Sequence, residues 1–284
     1  MKNILITGGA GFIGSNIAIN LVKQGYNVTI LDNLSRQIHG ENQDSTLYRS
    51  IKGITNFILG DVCSKSDWQV ALKGQDAIIH LAAETGTTQS MYQLSKYTDV
   101  NVVGTANLLD VLTNERHNIK KIVLGSSRSV YGEGKYYSKK HGFVYPLSRN
   151  ERDLLKRDFN VKCPISNLNV KPVPTDEKSK INPLSIYAKT KYQQENLILL
   201  LGEKFNIQTV ILRYQNVFGP GQSLRNPYTG VLSIFSTRIL NDNDIEIYED
   251  GKESRDFVYI DDVVEGTIKA LTKKFNSNRV FNIG

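Results

Sequence analysis

The stretch Asn3-Ile4-Leu5-Ile6-Thr7-Gly8-Gly9-Ala10-Gly11-Phe12-Ile13-Gly14 decides the fold. A short apolar run reads as a strand buried on both faces, and a GxxGxxG turn follows it at once. Ile13, Ile17 and Leu21 then recur every four residues, the stripe of a helix packed on a sheet. Strand, glycine turn and helix in that order form a cradle for a pyrophosphate. Gly8 allows the tight turn, Gly11 presents no Cβ to an approaching phosphate, and Gly14 lets the helix lie close on the strand. Phe12 and Ile13 open the helix, where free N–H groups and the positive end of the dipole meet the anion.

Working outward, further apolar runs read as strands at Val28–Asp32, Phe57–Asp61, Ala77–Leu81 and Lys121–Ser126. A helix around Val100 to Leu112 carries Val103, Asn107 and Val111 on one stripe. Strands alternating with helices predict an α/β fold, a doubly wound parallel sheet of Rossmann type with right-handed crossovers. Asp32 closes the second strand. A carboxylate there accepts from the adenosine ribose hydroxyls and repels a 2′-phosphate, which favours NAD over NADP, although nearby Arg36 would soften that preference.

From Gly132 to about Asn182 the alternation breaks, with a charged helical piece at Arg149–Phe159. A connection this long is often a functional lid; the competing reading is a solvated insertion without chemistry. Beyond it the pattern predicts a helix over Ser185–Lys204 and a strand over Thr209–Arg213. There follow a helix over Val231–Leu240, strands over Ile245–Tyr248 and Asp256–Ile260, and a helix over Asp262–Phe275. We therefore expect residues 1–217 to form the dinucleotide-binding domain, with an insertion at about 132–182, and 218–284 a smaller substrate lobe. The chain closes on Val280-Phe281-Asn282-Ile283-Gly284, a strand entering a turn, which predicts that the lobe continues past it.

The 284 residues are 40% apolar and 22% charged, an ordinary globular balance. No apolar run approaches the ~20 residues that span a bilayer, and Ile4-Leu5-Ile6 is too short for a secretory signal core. Both point to the cytoplasm and away from a membrane. Two cysteines, Cys63 and Cys163, lack CxxC spacing and the four histidines are scattered, so no metal centre or disulfide framework is expected. The net charge of +7 is densest between Lys135 and Lys180. It forms no basic stripe with interleaved aromatics, so nucleic acid is not the expected partner; the charge reads as solvated surface that helps steer a phosphorylated substrate.

Tyr187 and Lys191 form YxxxK on the helix predicted over Ser185–Lys204, which puts both on one face. Removing a proton from an alcohol needs a base, and a phenol with its ordinary pKa of about 10 is a poor one at neutral pH. Bringing it to ~7 takes roughly 4 kcal/mol, about what an ammonium ~4–5 Å away supplies at an effective dielectric near 20. Ser127 ends the fifth strand, at the sheet edge where such folds bind ligands, and its hydroxyl suits the reacting oxygen.

With these residues in place, the chain resembles the NAD-dependent epimerase/dehydratase family of extended short-chain dehydrogenases. Gly60-Asp61-Val62, His80-Leu81-Ala82-Ala83 and Asn101-Val102-Val103-Gly104-Thr105 carry the likeness in order. So do Leu212-Arg213-Tyr214-Gln215-Asn216-Val217-Phe218-Gly219-Pro220-Gly221 and Ser254-Arg255-Asp256-Phe257-Val258. The resemblance implies that Asn33, Asp61 and Val62 line the adenine pocket, and that Leu81, Ala82, Ala83 and Tyr214 adjoin the cofactor. It implies that Asn101 buttresses the site, that Asn216 and Arg255 contact a nucleotide-sugar diphosphate, and that Thr85 and Arg128 touch the sugar. Dehydratases of the family carry Asp-Glu after the active-site hydroxyl. Arg128 and Ser129 stand there instead, which removes the acid for water loss. The stretches Ser127 to Gly134, Cys163-Pro164 and Arg213 to Ser236 are most similar to dTDP-L-rhamnose 4-epimerases, although Ile165-Ser166-Asn167 lacks the second cysteine those relatives tend to carry.

The expected activity is therefore an isomerase, a nucleotide-sugar 4-epimerase with bound NAD, acting on a dTDP- or UDP-linked sugar for cell-surface polysaccharide. A homodimer is implied by the same resemblance. Competing readings are a UDP-hexose 4-epimerase, a reductase or dehydrogenase of the same fold, and a non-catalytic NAD-sensing protein.

Overall fold

A computed structural model describes residues 1–223 and 230–284. The epimerase-like residues from Leu224 to Thr229 lie outside the described residues. The strands are β1 (Asn3–Thr7), β2 (Asn27–Asp32), β3 (Asn56–Leu59), β4 (Ala77–His80), β5 (Lys121–Ser127), β6 (Tyr136–Ser138), β7 (Gly142–Val144), β8 (Lys171–Pro172), β9 (Gln208–Tyr214), β10 (Asn216–Phe218), β11 (Phe257–Tyr259) and β12 (Arg279–Ile283). Seven of them form one parallel sheet in the order β12-β9-β5-β4-β1-β2-β3. The chain winds one way from β1 to β3 and the other way from β4 onward. The switch point therefore falls between β1 and β4, above which a crevice opens at the carboxyl ends of the strands.

Alternation along the strands shows why both faces are covered. Ile4, Ile6, Ile30, Ile79, Val123, Val210 and Leu212 point into one core, with Ile17 and Leu21 of helix Phe12–Lys23 and Val263 and Leu271 of helix Ile260–Thr272. Leu5, Leu31, Ile78, Ile122, Leu124 and Ile211 point into the other, with Trp68, Leu108, Val111 and Ile198 from the helices opposite. Each such side chain, almost wholly withdrawn from water, contributes about 1.5–3 kcal/mol.

Several expectations are corrected. The buried stripe of helix Gly104–Asn114 is Gly104, Thr105, Leu108, Val111 and Leu112, while Val103 is exposed. A π-helical turn over Asp99–Val103 precedes that helix and its wider step shifts the phase. Ile245–Tyr248 is not a strand: it pairs with no described strand, and Ile247 and Tyr248 are exposed. The boundary at 217 does not separate two bodies either. Helix Ile260–Thr272 packs against the first helix and β12 pairs with β9, so 260–283 completes the main sheet. What remains as a small lobe is β10 paired with β11, and helix Val231–Leu240.

The insertion is partly ordered into a second sheet, β7-β6-β8, and its helix spans only Glu151–Leu155. Its charges are not all free in solvent. Lys135 meets Asp176 at 2.5 Å, Lys162 bridges Asp153 and Asp158 at 2.8 Å each, and Arg149 pairs with Glu249. No helix among the described residues is long and apolar enough to cross a membrane. Cys63 is exposed, Cys163 is buried, and they are not joined.

Candidate active site

The carboxyl edge of the sheet opens into a cleft of about 1030 Å³ bordered by the glycine turn, the ends of β2, β4 and β5, and the small lobe. Gly8 has φ +67°, and a Cβ there would stand 2.7 Å from the Ala82 nitrogen. A Cβ on Gly14 would stand 2.4 Å from the Gly8 carbonyl oxygen, so helix Phe12–Lys23 can begin hard against the turn only without one. Gly8, Gly11, Phe12, Ile13 and Gly14 all line the cleft.

Asp32 ties the cradle to β2. One carboxylate oxygen accepts from the Ala10 N–H and the other from the Leu34 N–H, each at 2.9 Å. Burial pushes its carboxyl upward, while those two N–H groups and His39, 4.0 Å away, pull it back. Asp32 still lines the cleft, with lone pairs left for further donors. Arg36 is turned outward onto Glu41 at 3.2 Å and does not line the cleft. Asn33 and Val62 line it; Asp61 does not. The Asp61 carboxylate accepts from the Asn33 side chain at 2.9 Å and the Cys63 N–H at 2.8 Å.

Leu81, Ala82, Ala83, Thr85 and Tyr214 border the middle of the cleft. The Tyr214 hydroxyl and the Thr267 hydroxyl lie 2.8 Å apart in a hydrogen bond. Asn101 stands behind the wall, fully buried. Its amide oxygen accepts from the Glu84 N–H at 2.8 Å, and its amide nitrogen donates to the Glu84 carbonyl at 3.1 Å and the Thr190 hydroxyl at 3.0 Å. It thereby ties the loop after β4 to helix Ile186–Phe205.

That helix starts where the Ser185 hydroxyl accepts from the Ala188 N–H at 3.1 Å, and it presents Tyr187 and Lys191 to the cleft. The Ser90 hydroxyl accepts from the Tyr187 N–H at 3.1 Å, and the phenol ring meets Tyr97 edge-on at 6.3 Å. Ser127, at the end of β5, lines the same cleft, and its hydroxyl accepts from the Ser129 N–H at 3.2 Å. Burial pushes the phenol up from its ordinary value, and the neighbouring Ser127 and Arg128 side chains oppose that rise. Lys191 is 2% exposed, burial pushes its ammonium down to about 8, and Glu195 opposes that fall.

Arg128, Asn216 and Arg255 also line the cleft. The Asn216 amide donates to the Asp256 carbonyl at 2.8 Å, and Arg255 pairs with Glu253. Two buried networks escaped the sequence reading. His80, held neutral by burial with a pKa of about 3, lies 2.7 Å from the Thr7 hydroxyl and 3.1 Å from that of Thr105. Glu195 takes the Ser126 hydroxyl and both Nε and Nη2 of Arg213, whose Nη1 donates to Tyr131 at 2.7 Å. The i, i+4 step from Lys191 to Glu195 was the one visible signal for the second.

The cradle suits a dinucleotide by two independent features. It has a turn that a Cβ would fill, and in Lys191 a buried ammonium at the cleft wall that makes no hydrogen bond or ion pair with another described residue. Ser127 and Tyr187 line the same cleft, two hydroxyls of the kind that can exchange a proton with an alcohol.

Comparison with known proteins agrees with this geometry. The family model described as NAD dependent epimerase/dehydratase matches residues 4–151 and 167–284, leaving out residues 1–3 and 152–166, the latter within the insertion. The dTDP-L-rhamnose 4-epimerase of Burkholderia thailandensis is 36% identical over 285 residues, covering all of this chain and 76% of its own length. Among solved structures, UDP-glucuronic acid 4-epimerase from Bacillus cereus with UDP-glucuronic acid and NAD superposes with a TM-score of 0.76 at 28% identity, over 99% of this chain and 77% of that one. UDP-glucose 4-epimerase from Thermotoga maritima with UDP-glucose gives 0.76 at 28% identity, over 99% and 76%.

Proposed function

The chain belongs to the NAD dependent epimerase/dehydratase family, and we propose that it inverts C4 of a nucleotide-diphosphate sugar. It is an NAD-dependent nucleotide-sugar 4-epimerase, an isomerase. The observation that carries the reading is that Ser127, Tyr187, Lys191 and the glycine cradle all line one cleft.

When bound, NAD supplies the reversible two-electron redox capacity that takes the C4 alcohol to a ketone and back. Gly8, Gly11 and Gly14 hold its pyrophosphate, Asp32 its adenosine ribose, and Lys191 the ribose at the reactive end. Tyr187 takes the proton from the C4 hydroxyl as the ketone forms and returns it once the sugar has presented its other face. Ser127 holds the C4 oxygen against the phenol. Asn216 and Arg255 anchor the diphosphate, so that the sugar turns while the nucleotide stays in place; a planar guanidinium suits that task. Thr85 and Arg128 border the sugar.

The 36% identity to a dTDP-L-rhamnose 4-epimerase over the whole chain favours a 6-deoxyhexose on dTDP. The absence of the acidic pair at Arg128 and Ser129 disfavours water loss. A homodimer fits the exposed apolar Val103, beside helix Gly104–Asn114, and Leu200, on helix Ile186–Phe205. A cytoplasmic location, in the synthesis of cell-surface polysaccharide, fits a reaction that draws on nucleotide sugars.

The test is incubation with a panel of dTDP- and UDP-linked sugars, with NMR detection of the C4-inverted product. Inversion without net NADH formation supports the proposal. Stoichiometric NADH release, or no product from any sugar, contradicts it.

A further inference from the structure

We propose that Arg149 is a positioning residue for substrate binding: from the insertion it grips Glu249 and so holds the loop at 245–251 in place as a wall of the cleft. This rests on the epimerase reading above and gives the insertion a part in it.

The insertion is a fixed support for that grip. The Asn182 N–H donates to the Val130 carbonyl at 2.9 Å, in the tight turn directly after β5. The Asn182 side chain then donates to the Pro146 carbonyl at 3.2 Å, three residues before Arg149. Near the end of the insertion, Asn282 of β12 donates to the Thr175 carbonyl with its amide and to the Glu177 carboxylate with its N–H. Arg149 therefore projects from a base tied to β12 and to the turn after β5.

The loop it reaches has little else to hold it. Residues 245–254 lie between helix Val231–Leu240 and β11 and form no helix or strand. Among the described residues, the one hydrogen bond or ion pair from this stretch to a group distant in sequence is that of Glu249 with Arg149, 100 positions away. Glu249 has φ +57°, in the left-handed region that side chains other than glycine adopt at a cost. It sits in a turn that the Gly251 N–H closes onto the Tyr248 carbonyl at 3.2 Å. A strained residue of this kind persists where its surroundings impose it, and the strained residue here is the one the guanidinium holds.

The position of the loop bears on the substrate. Ile247 and Tyr248, the two residues before Glu249, line the cleft, and so do Glu253 and Arg255 beyond it. The dinucleotide cradle is built instead from β1, β2 and helix Phe12–Lys23, so the loop serves the nucleotide sugar. The two partners are 25% and 27% exposed, and an ion pair that open to water contributes little to global stability. Its effect is local: it selects one position of a loop that has no other such tie among the described residues.

The test compares wild type with Arg149→Met, Glu249→Gln and the double variant, using a nucleotide sugar that wild type epimerises. KM for the nucleotide sugar should rise ~3–5-fold in each, the order that an ion pair of this exposure supplies. Turnover, NAD affinity and the denaturation midpoint should stay as in wild type. The double variant should be no worse than either single one, since both remove the same contact. An unmoved KM, additive losses, or a loss that extends to NAD affinity and the midpoint overturns the proposal.

A second measurement needs no turnover. Backbone hydrogen exchange over residues 245–251, read by mass spectrometry, should quicken in Arg149→Met while exchange in β5 stays unchanged. If wild type epimerises nothing, the epimerase reading fails by itself, and this exchange still decides whether Arg149 holds the loop. Exchange at the wild-type rate overturns it.

Discussion

Glu195 grips Arg213 through two parallel hydrogen bonds, Nε to Oε1 at 3.0 Å and Nη2 to Oε2 at 2.6 Å, one helical turn beyond Lys191. Both side chains are almost fully buried. Tyr131 extends the network, taking the Arg213 Nη1 and donating to the Asn282 side chain at 2.8 Å; Asn282 in turn donates to the Thr175 carbonyl at 3.1 Å. The helix carrying Tyr187 and Lys191 is thus locked to β9, to β12 and to the end of the insertion.

Breaking a buried ion pair from one side leaves a charge without a partner, at a cost of about 3–5 kcal/mol. Glu195→Gln alone should therefore lower the unfolding free energy by several kcal/mol, and Glu195→Leu with Arg213→Met should recover much of it. Urea denaturation of the three chains checks this. Equal losses in single and double variants would deny the pair its structural role.

The burial of Lys191 gives opposite pH trends for activity and stability. Its folded pKa of about 8 lies below the ordinary 10.5. Folding therefore carries the cost of a buried ammonium below about pH 8, and that cost is relieved as pH rises toward 10.5, where the unfolded state alone still holds the proton. Activity should run the other way, declining above about pH 8 as the ammonium is lost. Paired pH series of turnover and denaturation midpoint, with Lys191→Met as control, test both signs. A wild-type midpoint that tracks Lys191→Met across this window would contradict the assignment.

Asp32 secures the Ala10 and Leu34 N–H groups as well as facing the cleft. Asp32→Ala should weaken NAD binding by ~10-fold or more and narrow the preference over NADP, since a buried carboxylate that repels a 2′-phosphate is gone. It should also cost about 1–3 kcal/mol of stability from the two N–H groups left unpaired. Calorimetric titration with both dinucleotides reads the first effect, and thermal melting the second. Unchanged selectivity would place the discrimination elsewhere, with His39 the next candidate.

The parts of the fold legible in the sequence were those set by local periodicity. Ile4 and Ile6 against Leu5 announce a strand buried on both faces, and Gly8, Gly11 and Gly14 announce the turn that follows. The phase of the helix around Leu108 was misread because the π-turn over Asp99–Val103 inserts a step that no single stripe reveals. Ile245–Tyr248 alternates like a strand but finds no partner among the described strands, and propensity alone does not supply one. In the site, Tyr187, Lys191, Ser127 and Asp32 were visible because motif spacing places them. The Glu195–Arg213 lock was not. Charged residues are ordinarily exposed, and the partners meet only because β9 returns beside β5. The Asp61 carboxylate accepts from the Cys63 N–H and the Asn33 side chain, contacts that no spacing in the sequence reveals.

The proton exchange at Tyr187 is tested most directly by Tyr187→Phe. The substitution keeps the ring that meets Tyr97 and removes only the hydroxyl. Epimerisation should fall by about 10²–10⁴-fold, while NAD affinity and the denaturation midpoint stay near wild type. A phenylalanine variant that epimerises at the wild-type rate would show that the proton moves through some other group.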